Sequence, residues 1–224
     1  MVFMTGPVPR NPRRTTALSR ERIVEATIEI LDTAGEGGLT VRALTARLST
    51  GRGAIYHHVV NKDELLAAAA DGIISRVLAE VDSDEDPKRA IRTLSLGIFQ
   101  AIDEHPWVGT QLSREPWQPA VVRIWKGIGV PLQRLGVTGS ARSDAGSALV
   151  NYILGSAAQH AAGPRRVPHG AARPEYLRAL ATKWTQEDPD PLVHETAALL
   201  REHDDRDQFL AGVDIFLAGI TAHR

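Results

Sequence analysis

The 224-residue chain contains no cysteine, which excludes disulfides, thiolate metal sites and a cysteine nucleophile. It has no run of eighteen or more apolar residues, and its opening MVFMTGPVPRNPRRTT lacks the apolar stretch of a secretory signal. Both absences point to a soluble, cytoplasmic protein. Alternation of apolar and polar residues is missing along the whole length, so the expected fold class is all-α. No catalytic triad or carboxylate pair at fixed spacing is present, which argues against an enzyme and calls for no cofactor. Aromatic residues are scarce, yet Trp107, Trp117 and Trp125 fall within nineteen positions.

Net charge is also nearly absent, at -1, but it is unevenly distributed. Residues 1–62 carry nine Lys and Arg against five acids, and the remainder carries 17 against 22. A basic N-terminal quarter on an acidic body suits an end that meets a polyanion. Residues 1–18 hold Pro7, Pro9 and Pro12 with Arg10, Arg13 and Arg14, and read as a flexible basic arm. From Ser19, a plausible N-cap, Ile23, Thr27, Ile30, Leu31 and Ala34 recur at helical spacing until Gly35. Thr40 then caps a helix over 41–48, with Leu39 and Leu44 at the spacing of a hydrophobic staple. A short helix over 52–58 follows, and Asn61 with Glu64 opens a long one over about 61–83. The second and third helices, joined by a turn of about three residues, have the spacing of a helix-turn-helix.

Beyond Pro87, helices are expected over 87–104, 106–113, 117–135, 139–162, 174–186, 191–203 and 205–222. Gly127, Gly129 and Pro131 should kink or split the third of these. The stretch AAGPRRVPHGAARP reads as a loop.

A helix-turn-helix presents its second helix to the DNA major groove. Here that helix lies within GRGAIYHHVV, Gly51 to Val60. Ile55 and Val59 can face inward, leaving Arg52, Gly53, Tyr56 and His57 outward or toward the rim. The small residues Gly51, Gly53 and Ala54 allow a close approach to phosphates and base edges, and Arg52 is the best candidate for reading a guanine. His57 and His58 point about 100° apart and make a poor metal clamp, so no metal site is expected.

The string LTVRALTARLSTGRGAIYHHVVNKDELLAAAADGI, Leu39 to Ile73, resembles the tetracycline-repressor (TetR) family of bacterial transcription regulators. With the first helix included, the resemblance covers about 19–73. It implies three parts: an arm over 1–18, a helix-turn-helix DNA-binding domain over 19–64, and a helical effector-binding and dimerisation domain over 65–224. The helix over 61–83 connects the last two. It further implies that Thr40, Tyr56 and Lys62 contact phosphate, that Arg42, Arg52 and His57 read bases, and that His58 borders the backbone. Ser49 stands in place of the usual turn glycine, Gly51 where a Ser cap is frequent, and Ala54 in place of a Thr that bonds phosphate. Leu78 takes the position of a drug-binding histidine, which argues against tetracycline as effector.

In the body, aromatic walls with a few polar groups suit a small-molecule pocket. The candidate effector contacts are Phe99, His105, Trp107, Trp117, Trp125, Asn151, Tyr152, Gln159 and His160. Two stretches look built to meet another helix: DAGSALVNYILGSAAQ, with Leu149, Ile153 and Ala157, and FLAGVDIFLAGI, with Phe209, Val213, Phe216 and Ile220. By the resemblance they form a homodimer interface, which a palindromic operator also requires. The expected function is a ligand-responsive dimeric regulator, a repressor released from operator DNA by a small molecule. The alternatives are an all-helical enzyme using His105 or His160 as general base, and a ligand-independent DNA-binding protein.

Overall fold

Three of the first four helices begin at a side chain that accepts a hydrogen bond from the helix's own first turn. Ser19 Oγ accepts from Arg22 N at 3.3 Å and starts α1 (Arg20–Gly38). Thr40 Oγ1 accepts from Ala43 N at 3.1 Å and starts α2 (Val41–Leu48). Asn61 Oδ1 accepts from Glu64 N at 2.8 Å and starts α4 (Lys62–Ala79). Between them α3 (Arg52–His58) opens at Gly51 with no side-chain cap. Each cap satisfies a backbone donor that would otherwise lack a partner in the first turn, which is why the boundaries fall where the sequence places them.

The computed structural model describes residues 18–59, 61–82, 84–115, 117–162 and 173–222. Apart from Leu18, which packs on the core, the expected arm lies outside the described residues, as does 163–172 of the expected loop. The described part holds eleven helices and no strand. The body consists of α5 (Pro87–Glu104), α6 (Pro106–Arg114), α7 (Pro119–Arg134), α8 (Gly139–Ala162), α9 (Arg173–Glu187), α10 (Pro191–Arg201) and α11 (Asp205–Ala222). α5 lies at its centre, packed on α4, α7, α8 and α11, and α4 packs on α1, with glutamates of which both Lys62 at its start and Arg76 near its end pair, as well as on α5 and α7. One hydrophobic core therefore runs from Ile23 in α1 to Leu217 in α11. α9 and α10 pack mainly on each other.

α7 differs from expectation, because it runs through Gly127, Gly129 and Pro131 as one helix. Pro131 forfeits one backbone hydrogen bond, but the fully buried stripe of Ile124, Ile128 and Leu132 holds the axis against α4 and α5. Gly127 makes this packing possible, since a Cβ there would come within 2.7 Å of Leu78 and Leu94 side chains. α1 leaves helical geometry at Gly35, whose φ of 64° suits glycine, at the expected stop.

Ser49 ends α2 at φ 50°, the one non-glycine residue with positive φ among the described residues. The left-handed conformation there explains why glycine is the usual occupant of this turn. Ser49→Gly should therefore stabilise the chain by about 0.5–1 kcal/mol, the steric cost relieved less the entropy that glycine adds. Urea denaturation followed by circular dichroism measures this, and a lowered midpoint would contradict it.

Candidate nucleic-acid interface and effector cavities

Ile55 of α3 and Val59 at its end are buried, as are Leu39 and Leu44, so α3 is seated on α2 by one apolar edge. Its other residues are thereby turned outward. Arg52, Gly53, Tyr56 and His57 are exposed, with Tyr56 at 59%, and Ala54 and His58 are half-buried. Arg42 is exposed on α2. Thr40, Tyr56 and Lys62 come from three separate elements yet line one cleft of about 240 Å³ over Leu44, Ile55 and Val59. Two hydroxyl-bearing residues and a lysine thus border a cleft where a phosphate could sit. His57 and His58 meet edge to face at 5.5 Å between ring centroids, and no group of three metal-ligating side chains occurs among the described residues.

Lys62 already has partners on α1. Its Nζ donates to the Glu36 carbonyl at 2.7 Å and lies 3.7 Å from the Glu36 carboxylate. The same carboxylate accepts from Arg114 Nη2 of α6 at 2.5 Å. One turn earlier, Asp32 Oδ1 accepts from Trp107 Nε1 at 2.8 Å and pairs with His105 Nδ1 at 2.7 Å. Glu29 pairs with Arg47 of α2, and Glu25 with Arg76 of α4. Glu25, Glu29 and Asp32 stand at 4-3 spacing, which puts them on one face of α1, and Glu36 follows just past the break at Gly35. That face joins the helix-turn-helix to the body. His105 and Trp107, expected at an effector pocket, belong to this seam, and their polar atoms are committed to Asp32.

The other expected effector residues separate into two places. Phe99, Tyr152, Gln159 and His160 line a cavity of about 810 Å³ bounded by α5, α8, α9, α10 and α11. Its aromatic floor stacks Tyr152 on Phe209 at 5.6 Å and Phe209 on Phe99 at 4.5 Å. Tyr152 Oη donates to the Phe209 carbonyl at 2.9 Å, over Gly212, whose absent Cβ would otherwise collide with it. Along the polar wall, Arg173 makes a double hydrogen bond to Asp205 at 2.7 and 2.9 Å, and His203 Nε2 lies 3.0 Å from Asp205 Oδ1. His160 Nε2 is 3.1 Å from Asp103, whereas its Nδ1, 3.5 Å from Asp205, is buried without an aligned hydrogen-bond partner among the described residues. Trp117 and Trp125 instead border a groove between α7 and α8, and Asn151 is exposed on α8.

The expected dimer stripe is corrected by burial. Leu149, Ile153, Ala157 and Val213 are fully buried, Phe209 nearly so, and Phe216 and Ile220 are half-buried against the same core. They form the seam of α8 and α11 on α5 within one protomer, and a buried stripe at helical spacing reads the same whichever chain covers it. The opposite stripes are exposed or half-buried and mostly small, Ala148, Asn151, Gly155 and Ala158 on α8 and Ala211, Ala218 and the larger Ile215 on α11. Arg114, Arg173, His203 and Asp205 were not singled out by the sequence, because each acts through a partner far away in the chain.

The Arg114 hydrogen bond and the nearby Lys62 charge hold the Glu36 carboxyl below the usual carboxylate range, against a small opposing effect of burial. At Asp205 burial opposes the charge, but the paired bonds from Arg173 and the flanking histidines outweigh it and also lower the value. Both folded values lie below those of the unfolded chain. Their stabilisation is thus complete above about pH 4 and is lost as pH falls through the lowered values. Glu36→Gln and Asp205→Asn should each lower the urea midpoint at about pH 6, and the deficit should shrink below about pH 4. A deficit that stays constant down to about pH 3 would contradict this assignment.

The family of bacterial regulatory proteins described as "tetR family" matches residues 23–69. The transcriptional regulator SCO7222, a TetR from Streptomyces coelicolor, is 45% identical, with 92% of this chain and all of that chain covered and a TM-score of 0.84. The Streptomyces coelicolor TetR family protein ActR, solved in complex with (S)-DNPA, is 25% identical over 92% of this chain and 98% of its own, with a TM-score of 0.65. An HTH-type transcriptional regulator of Saccharopolyspora erythraea is 28% identical over 76% of this chain and 73% of its own length. With a helix-turn-helix built on α2 and α3 and an all-helical body that align with a TetR regulator from end to end, the chain belongs to the TetR family of bacterial transcription regulators.

Proposed function

We propose that the chain is a dimeric repressor whose α3 helices read a pseudo-palindromic operator and whose body binds a small-molecule effector that releases it. The observation that carries this reading is the outward face of α2 and α3. Arg42, Arg52, Tyr56 and His57 are exposed there, while Ile55 and Val59 are buried behind them. Arg42, Arg52 and His57 read base edges, with Gly53 and Ala54 keeping the approach close. Thr40, Tyr56 and Lys62 hold phosphate in their shared cleft, and His58 borders the backbone. The functional division falls into a DNA-binding part over 19–64 and an effector and dimerisation part over 65–224, with α4 belonging to both.

Two copies meet across the exposed stripes of α8 and α11, whose small residues allow close helix approach. The effector occupies the cavity over Phe99, Tyr152 and Phe209, whose volume lies within the usual range for small-molecule pockets, and engages His160 Nδ1, which has no aligned hydrogen bond among the described residues. Two relatives that are transcriptional regulators and a family member solved with a bound ligand support a regulatory role over a catalytic one.

Fluorescence anisotropy with the chain's own promoter region tests the DNA-binding reading. Binding should be sequence-selective and fall steeply with salt. Arg52→Ala should lose roughly 1–3 kcal/mol of discrimination at one base pair, whereas Tyr56→Phe should weaken all sequences alike. Unchanged selectivity in Arg52→Ala would overturn its role as base reader. A thermal-shift ligand screen tests the cavity, because a ligand at a hundred times its dissociation constant adds roughly 2.7 kcal/mol, and His160→Ala should diminish that gain.

A further inference from the structure

The α9–α10 hairpin is joined to the body at its root by the Arg173–Asp205 pair and otherwise packs mainly on itself. It nevertheless presents apolar surface. Leu192 and Leu199 are 67% and 70% exposed, and Trp184, Leu192 and Val193 line a groove of about 470 Å³. The charged residues of that groove are Glu187 and Asp188, and no cation lines it among the described residues. Lys183 lies 3.7 Å from Glu187 one turn away, an exposed pair of little strength.

A second groove, of about 730 Å³, runs between α7 and α8. Trp117, Val122, Trp125 and Val130 form its apolar surface, with Trp117 84% exposed. Its charged residues are Lys126 and Arg142, and no carboxylate lines it among the described residues. Trp125 lies flat against Gly146, where a Cβ would come within 2.9 Å of the ring. One groove is thus apolar with an acidic rim and the other apolar with a basic rim. Exposed apolar patches of this kind on a regulator mark contact surfaces, and opposite rims select each other.

Charge also decides what fills the basic groove. The two longer segments outside the described residues are themselves cationic, through Arg10, Arg13 and Arg14 in 1–17 and Arg165 and Arg166 in 163–172. The hairpin is the complementary element. We propose that the α9–α10 hairpin of one copy seats in the α7–α8 groove of a second copy, Trp184 and Leu192 meeting Trp117, Trp125 and Val130, with Glu187 and Asp188 against Lys126 and Arg142.

This rests on the homodimer proposed above and places a second contact in it. α8 has 24 residues and is about 36 Å long. The groove is cut beside its N-terminal half, at Gly139, Arg142 and Gly146, and the hairpin follows its C-terminal end. A symmetric pair with its twofold axis perpendicular to α8 runs the two α8 helices antiparallel, and so lays the hairpin of each copy beside the groove of the other. The α8–α11 stripe, built mostly of Ala, Gly and Asn, buries little apolar area per residue. Two hairpin seats supply area toward the roughly 1,200–2,000 Å² of a stable interface.

Sedimentation of the full chain and thiol crosslinking test the seat. The natural chain should sediment as a dimer. Lys126→Glu with Arg142→Glu, or Glu187→Lys with Asp188→Lys, should each raise the dimer dissociation constant about tenfold or more, and combining all four should restore it to within about threefold. Because the chain has no cysteine, Val130→Cys together with Leu192→Cys should give a covalent dimer with a short bis-maleimide, and neither single variant should. Circular dichroism confirms that each variant is folded. Dimers indifferent to charge reversal, with no crosslink from the double variant, would overturn the hairpin seat and leave the dimer standing. A natural chain that stays monomeric would overturn both.

Discussion

Four carboxylates of α1, three on one helical face and Glu36 just past the break at Gly35, connect the helix-turn-helix to the rest of the molecule. Glu25 pairs with α4, Glu29 with α2, Asp32 with the α5–α6 junction, and Glu36 with α6 and the start of α4. Most of these pairs are about half exposed, so each contributes on the order of 0–1 kcal/mol. Their importance is positional. Glu25, Glu29 and Asp32 fix the rotation of α1 about its axis and Glu36 holds its end, and α1 packs on α2, which in turn carries α3. The separation of two α3 helices in a dimer therefore depends on how α1 is held against α4 and α6.

That arrangement provides a route for an effector to act. α4 is shared: its first turn meets Glu36 through Lys62, and its later turns pack on α5 and α7, with Arg123 of α7 donating to Asp71 at 2.7 Å. Phe99 of α5 lines the aromatic cavity, and His160 at its wall lies 3.1 Å from Asp103 near the end of α5. His105, two residues further, is tied to Asp32. A ligand that shifts the end of α5 thus acts on the same residue pair that orients α1. By reciprocity, operator DNA that holds α1 must alter effector affinity to the same degree.

Local chemistry was readable from the sequence to a useful degree. Ser19, Thr40 and Asn61 cap helices because their side chains reach only their own first turns, and Leu39 with Leu44 is a neighbour contact. The outward residues of α3 followed from the burial of Ile55 and Val59. Two kinds of information were not local. A buried stripe such as Leu149, Ile153 and Ala157 has the same spacing whether it faces its own α5 or a second chain, and here it faces its own α5. Aromatic and histidine side chains such as Trp107 and His105 have partners dozens of residues away, and their capture by Asp32 leaves no trace in the spacing around them. The 4-3-4 run of acids in α1 was the available signal for that seam, and it reads equally well as a solvated face.

The central claim is that Asp32 and Glu36 set the orientation of the DNA-reading helices. With no native cysteine, a spin label at Ala46→Cys on α2 reports the distance between the two copies by pulsed electron paramagnetic resonance. In an otherwise natural chain the distance distribution should be narrow, and in a folded Asp32→Ala, Glu36→Ala variant it should broaden and shift. An unchanged distribution in that variant would contradict the account.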